Sequence, residues 1–258
     1  MKTILITGAT DGIGRETAKA LAADGHRVLI HGRSAEKLDA IAHELGGAAT
    51  YRADLSRPHE VRALTKAVRA DHGRLDVLIN NAGVYNAPEA QTADGLDIRF
   101  AVNTVAPYVL TRSLLPIVPT EGRIVNLSSA AQAPVDLAAL AGDRPLGAGQ
   151  AYAQSKLALT MWTNALATEL GPHGPVAVSV NPGSLLGTKM VREAFGTSGN
   201  DVRTGVDILV RAALSDEFAD ARGRYFDNDA GRFGPPHPDA GDPAKCEAVM
   251  RMVETLIT

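Results

Sequence analysis

The sequence predicts a doubly wound α/β fold of about seven mainly parallel strands with helices on both faces. Three features carry this expectation. Short, mostly apolar runs recur along the chain, helical stretches separate them, and a glycine-rich turn joins the first run to the first helix. Runs without polar alternation suit strands covered on both sides. Right-handed crossovers then place helices on both faces and ligands beyond the carboxyl ends of the strands.

The first strand is expected at Thr3–Thr7. Thr7-Gly8-Ala9-Thr10-Asp11-Gly12-Ile13-Gly14 follows and opens a helix through Arg15–Ala23. At such a strand-to-helix turn, main-chain N–H groups cradle a pyrophosphate and glycines allow its close approach. The spacing is Gly-x-x-x-Gly-x-Gly with no Gly-Lys-Ser/Thr after it, which disfavours a P-loop nucleotidase. Gly8, Thr10, Asp11, Gly12, Ile13 and Gly14 are therefore candidate dinucleotide contacts.

The second strand, Arg27–His31, ends in His31-Gly32-Arg33-Ser34. A protein selecting NAD commonly places an acid here for the ribose hydroxyls. This chain has Arg33, which suits a charge-assisted fork on the 2′-phosphate of NADP. The plain alternative is an exposed arginine near a helix start. NADP is the expected cofactor, with NAD possible.

Helices follow at Ala35–Leu45 and Arg57–Asp71, with a weaker strand at Ala49–Ala53 between them and Ser56 the expected cap of the second. A fourth strand at Asp76–Asn80 leads into Asn81-Ala82-Gly83, where Gly83 would admit a ligand close to the backbone. A long helix is expected over Asp97–Leu115. Pro107 has no N–H, so the Asn103 carbonyl should lack its helical partner. A water there would link toward Lys156; the simpler alternative is a kink with a solvated carbonyl. The remaining strands are placed at Arg123–Ser128, Val176–Val180 and, more weakly, Arg224–Phe226. Ala131–Gly149 reads as a loop with a short helix, and Gly231–Gly241 as a loop. Thr188 can cap a helix through Lys189–Phe195.

Within the helix Gln150–Glu169, Tyr152 and Lys156 are four residues apart. Four residues rise about 6 Å and return to nearly the same face. A nearby ammonium favours phenolate and brings the phenol toward a catalytically useful range. The pair is a candidate acid/base centre, although the same spacing also occurs on solvated helices.

With 258 residues, 45% hydrophobic and 21% charged, the chain suits one domain spanning residues 1–258. A net charge of -3 without long runs of one sign argues against nucleic-acid or anionic-membrane partners and for a small molecule. Cys246 is the sole cysteine, which excludes an internal disulfide and a thiolate cluster. The short apolar amino-terminal run does not suit a signal peptide, and a cytoplasmic location is expected. The histidines His26, His31, His43, His59, His72, His173 and His237 lack ligand spacing and are expected at the surface or in loops, so no metal role is expected. Trp162 is expected to pack.

Together these elements resemble the short-chain dehydrogenase/reductase family, whose domain is a Rossmann fold. Thr7–Gly14 is similar to the family's cofactor turn, and Asn80-Asn81-Ala82-Gly83 to its Asn-Asn-Ala-Gly element. The resemblance implies that Asp54, with Leu55 beside it, contacts adenine. It also implies that Pro182-Gly183 and Thr188 hold the nicotinamide carboxamide. Asn103, Ser129, Tyr152 and Lys156 match the four catalytic positions, with Ser128 as competitor to Ser129.

Ile124–Ser129, Ala151–Leu157 and Gly223–Phe226 resemble the retinol-dehydrogenase-like branch. What this implies is hydride transfer between NADP(H) and a carbonyl or secondary alcohol, with Tyr152 as acid/base. Lys156 would lower the phenol's pKa and grip the nicotinamide ribose. Relatives also imply a homodimer or homotetramer through the helices bearing Asn103 and Tyr152. Ala131–Gly149 and Ser184–Asn200 are the expected substrate walls or lid. The alternatives are a catalytically silent NADP-binding redox sensor and a sugar-nucleotide epimerase or dehydratase.

Overall fold

Alternation of period two divides each strand between two cores. In β1 (Thr3–Ile6), Ile4 and Ile6 pack on one side of the sheet and Leu5 on the other, all fully buried. The same division holds for Leu29, Leu78 and Ile124 against Val28, Val77 and Val125. A strand buried on both faces has no solvent side to mark with polar residues. Truncating such a side chain to alanine costs about 2–5 kcal/mol.

The computed structural model describes residues 1–257. The further strands are β2 (Arg27–Gly32), β3 (Ala49–Arg52), β4 (Val77–Asn80), β5 (Arg123–Leu127), β6 (Val176–Asn181), β7 (Tyr225–Asp227) and β8 (Arg232–Gly234). Their order is β3-β2-β1-β4-β5-β6-β7-β8. The pairs through β7 are parallel, and β8 runs antiparallel to β7. The order turns back at β1 and β4, so the loops after these strands diverge and leave a cleft.

The eighth strand lies in a segment expected to be a loop. Its three residues carry no periodicity, and tertiary packing decides its form. Phe233 meets Phe218 and Phe226 at centroid distances of 5.0 Å, while the Arg224 guanidinium sits 4.0 Å from the Phe233 ring.

The helices are α1 (Gly12–Ala23), α2 (Ala35–Glu44), α3 (Pro58–Asp71), α4 (Ile98–Phe100), α5 (Ala106–Leu114), α6 (Leu137–Leu140), α7 (Ala148–Leu170), α8 (Lys189–Phe195), α9 (Val202–Leu214) and α10 (Pro243–Ile257). Helices α1, α2 and α9 cover one sheet face; α3, α5, α7 and α10 cover the other. No helix among the described residues is long and apolar enough to cross a membrane.

The long helix expected over Asp97–Leu115 is not uniform. A π-type stretch, Ala101–Val105, separates α4 from α5, and the Ala106 N–H reaches back to the Ala101 carbonyl. The wide turn ends two residues before Pro107, whose ring and missing N–H oppose an ordinary α-helical turn. It carries Asn103.

Ala131–Gly149 contains α6, as expected, but it is no free lid. Ala139 and Leu140 are buried in the core, Asp136 caps α6, and the Asp136 N–H donates to Gln154 Oε1 at 3.0 Å. Apolar residues regularly spaced within a nominal loop bought it a place in the packing.

Candidate active site

The Asn81 side chain locks the glycine turn in place. Its Nδ2 donates to the Thr7 carbonyl at 2.8 Å and to the Gly8 carbonyl at 3.1 Å, and its N–H donates to Thr7 Oγ1. Gly14 allows this approach because a Cβ there would overlap Asn81 Nδ2 and the Gly8 carbonyl oxygen. Gly8 and Gly12 take φ values of +66° and +54°, in the left-handed region that favours glycine. Asp11 caps α1 through the Gly12 N–H, Thr10 packs against Gly32, and Ile13 packs toward Gly205.

His31 joins this framework, which corrects its expected surface position. It is 2% exposed; the Gly8 N–H donates to Nδ1 at 3.2 Å, and Nε2 meets the Ala53 carbonyl at 3.0 Å. The ring is therefore neutral with the proton on Nε2. Burial pulls its pKa to about 4, against a smaller upward pull from Ala53. A histidine in the middle of a parallel sheet has no solvent face.

Arg33 is exposed at the carboxyl end of β2, and the Arg52 guanidinium Nε donates to its carbonyl at 3.1 Å. The β3 register sets Arg52 opposite Gly32, so two cations share this corner. Ser56 does not cap α3. Its N–H and hydroxyl donate to Asp54 Oδ1 at 3.0 and 2.8 Å, forming an Asx-type turn, and Arg57 precedes the helix instead. Burial pushes the Asp54 carboxyl up, but the Ser56 bonds and the Arg33 charge outweigh it and leave it below the ordinary range. Leu55 is buried in the core.

At the end of β5 the two serines separate cleanly. Ser128 is buried, bonding Thr160 Oγ1 at 2.8 Å and the Lys156 carbonyl at 3.3 Å. Ser129 is half-buried, accepts from the Ala131 N–H, and lies against the Tyr152 phenol. Strand alternation turns one serine into the α7 packing and the other toward the cleft.

Lys156 is 4% exposed, and its hydrogen bond among the described residues is to the Leu127 carbonyl at 2.7 Å. Burial pulls its pKa down to about 8. The Tyr152 phenol, in contrast, is held above its ordinary value by burial, with Ser129 pulling it down and Tyr85 adding to the rise. Lys156 is not among the groups behind the Tyr152 shift: desolvation leads for both side chains, and the ammonium donates to the strand end rather than to the phenol.

The Asn103 amide grips the loop after β4. Val84 N–H donates to its Oδ1 at 2.8 Å, and its Nδ2 donates to the Val84 carbonyl and to Ser155 Oγ, each at 3.0 Å. Between these groups lies Gly83, where a Cβ would sit 3.5 Å from both Asn103 Oδ1 and Lys156 Nζ. Asn80 and Asn126 continue the ties, with Asn80 bonding Thr111 and Asn126, and Asn126 bonding Thr163. Strands β4 and β5 are thereby fixed to α5 and α7, the helix bearing Tyr152.

The segment Ser184–Asn200 closes on itself. Gly187 N–H donates to the Asn200 carbonyl and Asn200 N–H to the Leu185 carbonyl, both at 2.7 Å. Its base is held by Asp229, which accepts from Ser184 N–H and Oγ and from Asn181 Nδ2, while Asn228 donates to the Pro182 carbonyl. Gly183 has φ +119° and Leu185 an uncommon φ of +50°. Thr188 caps α8 and faces Gly12 of the glycine turn.

The profile of the short chain dehydrogenase family matches residues 2–198. The chain belongs to that family. Human retinol dehydrogenase 11 is 38% identical over 194 residues, covering 71% of this chain and 61% of that protein. This short chain dehydrogenase is a member of the retinol-dehydrogenase-like branch and spans about three fifths of that relative's length. A crystal structure of an uncharacterized protein from Mycobacterium paratuberculosis matches with a TM-score of 0.83 at 28% identity, over 100% of this chain and 93% of that one. A short chain dehydrogenase from Burkholderia cenocepacia J2315, in complex with NADP, matches with a TM-score of 0.70 at 30% identity, over 88% and 95%.

Three residues of this short chain dehydrogenase escaped sequence reasoning. Tyr85, two places past Gly83, stacks on Tyr152 with centroids 5.0 Å apart. His31 and Arg52 owe their places to strand register. Tyr85 was visible as an aromatic two places past Gly83, whereas the other two required the paired sheet.

Proposed function

We propose that this chain is an oxidoreductase that transfers a hydride between NADP(H) and a carbonyl or secondary alcohol, working as one domain over residues 1–258. The carrying observation is the meeting of Ser129, Tyr152 and Lys156 at the edge of a glycine-lined cleft. Two features fit a dinucleotide. Gly8, Gly12 and Gly14 form a tight turn at a helix N-terminus, and Gly83 leaves space beside a buried ammonium with donors to spare.

Gly8, Thr10, Asp11, Gly12, Ile13 and Gly14 would hold the pyrophosphate side, and Asp54 and Leu55 the adenine. Asn81, Ala82, Gly83, Pro182, Gly183 and Thr188 would flank the nicotinamide half. Arg33, with Arg52 beside it, would pair with a 2′-phosphate, which favours NADP over NAD. The NADP bound by the Burkholderia relative supports the same choice.

When bound, the nicotinamide supplies or accepts the hydride. Tyr152 donates a proton to the carbonyl oxygen in reduction and removes it in oxidation, and Ser129 hydrogen-bonds the same oxygen. Lys156 favours the developing phenolate through its charge. Asn103 positions Val84 and Ser155, holding the Gly83 loop against α7. The proposal also includes a proton relay that begins at Tyr152 and in which Lys156 passes the proton on to or from a water held at the Asn103 carbonyl.

Helix α10 packs across α7, and Tyr108 and Arg112 of α5 bond Glu254 of α10 at 2.5 and 3.3 Å. A homodimer or homotetramer would therefore use a surface that α10 leaves open. A cytoplasmic location belongs to the same reading, on the strength of the cysteine usage.

A spectrophotometric screen of aldehydes, ketones and alcohols with NADPH, NADH and their oxidised forms tests the reading. Turnover that prefers NADPH supports it. Tight NADPH binding without turnover of any substrate favours the silent sensor.

A further inference from the structure

The rings of Tyr152, Tyr85 and Phe195 stand in a row. Centroids are 5.0 Å apart between Tyr152 and Tyr85 and 5.4 Å between Tyr85 and Phe195, with inclinations of 52° and 54°. Tyr85 is the middle ring, held to the acid/base candidate on one side and to α8 on the other. Its hydroxyl sits over Gly149, where a Cβ would come within 3.3 Å of the oxygen, so the first turn of α7 leaves room for it.

Phe195 and Leu185 are 53% and 47% exposed. Apart from Met1, these are the large hydrophobic side chains exposed among the described residues, and both belong to Ser184–Asn200. The chain's exposed apolar bulk is thus concentrated on the segment packed against Tyr85. Such a concentration beside a cleft with convergent polar groups marks a ligand surface.

We infer that Tyr85 and Phe195 form an aromatic clamp that selects a flat, unsaturated carbonyl substrate, such as an aryl ketone, over a saturated one of similar size. The inference rests on the oxidoreductase reading above and extends it to a substrate class. Aromatic rings attract one another through offset and edge-to-face contacts, in which negative faces meet positive edges. A flat π-system entering beside Tyr85 exchanges the Tyr85–Phe195 contact for two contacts of the same kind. A saturated ring gains dispersion alone. The clamp abuts the ring of Tyr152, so a substrate held there carries its carbonyl group near the phenol.

The test compares acetophenone with cyclohexyl methyl ketone, which share a skeleton and differ in ring saturation. Steady-state rates with NADPH are measured for wild type, Tyr85→Leu, Tyr85→Phe and Phe195→Ala. The ratio of kcat/KM for the aryl over the saturated ketone is expected to fall about tenfold in Tyr85→Leu, mainly through KM. It should fall severalfold in Phe195→Ala and hold in Tyr85→Phe. A ratio unchanged in both Tyr85→Leu and Phe195→Ala overturns the clamp. Should Tyr85→Leu fail to fold, Phe195→Ala decides, because that side chain is largely exposed.

Calorimetric titration of both ketones into NADP-loaded protein separates this inference from the one beneath it. Preferential acetophenone binding that is lost in Tyr85→Leu supports the clamp even where neither ketone turns over, and the missing turnover then counts against the oxidoreductase reading. Equal binding of the two ketones by the wild type, or none by either, sinks the clamp.

Discussion

The Lys156 ammonium donates to the Leu127 carbonyl at 2.7 Å while lying 5.7 Å from the centroid of the Tyr152 ring. It is anchored to the end of β5 and stands beside the phenol rather than bonded to it. A charge kept in this apolar setting costs stability, as its lowered pKa records.

Lys156→Met should therefore stabilise the fold while disabling it. A displacement from 10.5 to about 8 corresponds to about 3 kcal/mol, less about 1 kcal/mol for the lost Leu127 bond. The expected rise in Tm is several degrees, read by thermal denaturation at pH 7. Carbonyl reduction should fall at least about a hundredfold. Unchanged turnover would remove Lys156 from the mechanism.

The pH dependence follows from the same shifts. The proposed reduction would need a charged Lys156 and a protonated Tyr152, and the phenol is held above its ordinary value. The rate should be level below pH about 8 and decline above it, as Lys156 releases its proton. Stability moves oppositely: between pH about 8 and 10.5 the unfolded chain binds the proton that the folded chain has lost, so folding strengthens as pH rises. Rate profiles and denaturant titrations across this window check both directions.

Gly14→Ala tests the lock on the glycine turn. The added Cβ would overlap Asn81 Nδ2 and the Gly8 carbonyl oxygen, both held by mutual hydrogen bonds. A loss of about 1–3 kcal/mol is expected from overpacking, with NADPH affinity weakened at least about tenfold. Chemical denaturation and NADPH fluorescence titration measure the two effects. Full retention of both would show that the turn yields freely.

Arg33→Ala should weaken NADPH binding about tenfold to a hundredfold and leave NADH within about threefold, since a charge-assisted phosphate contact serves only the phosphorylated ribose. Arg52→Ala should produce a smaller change of the same sign. An unaltered NADPH to NADH ratio in both variants would discard the phosphate assignment.

His31 predicts an acid limit. Its folded pKa of about 4 lies below the ordinary 6.5, so its neutral form contributes stability that is complete above pH 6.5 and is lost as pH falls toward about 4. The full span amounts to about 3 kcal/mol. Denaturant titrations at stepped pH should show this loss in the wild type and a flatter slope in His31→Gln. Equal slopes would assign the acid sensitivity to other groups.

Much of the fold and of the candidate site was legible along the chain. Apolar runs at Ile4, Val28, Val77, Val125 and Val176 declare strands because parallel strands buried on both faces tolerate little else. The glycines of Thr7–Gly14 and the Tyr152/Lys156 spacing carry their geometry locally, one through backbone freedom and the other through helical pitch. The short strand β8 and the π-type stretch at Asn103 were not legible, since each arises from packing against distant residues.

The order of residues alone determined the strand-helix alternation, the glycine turn and the helical pairing of Tyr152 with Lys156, because dihedral preference and side-chain periodicity act over a few neighbours. Only the tertiary structure decided that Ser128 turns inward and Ser129 outward, that His31 is sealed in neutral form, that Tyr85 meets Tyr152, and that burial governs both members of the Tyr152/Lys156 pair. Those outcomes depend on the dielectric and the contacts that one segment imposes on another, and no local stretch of sequence contains them.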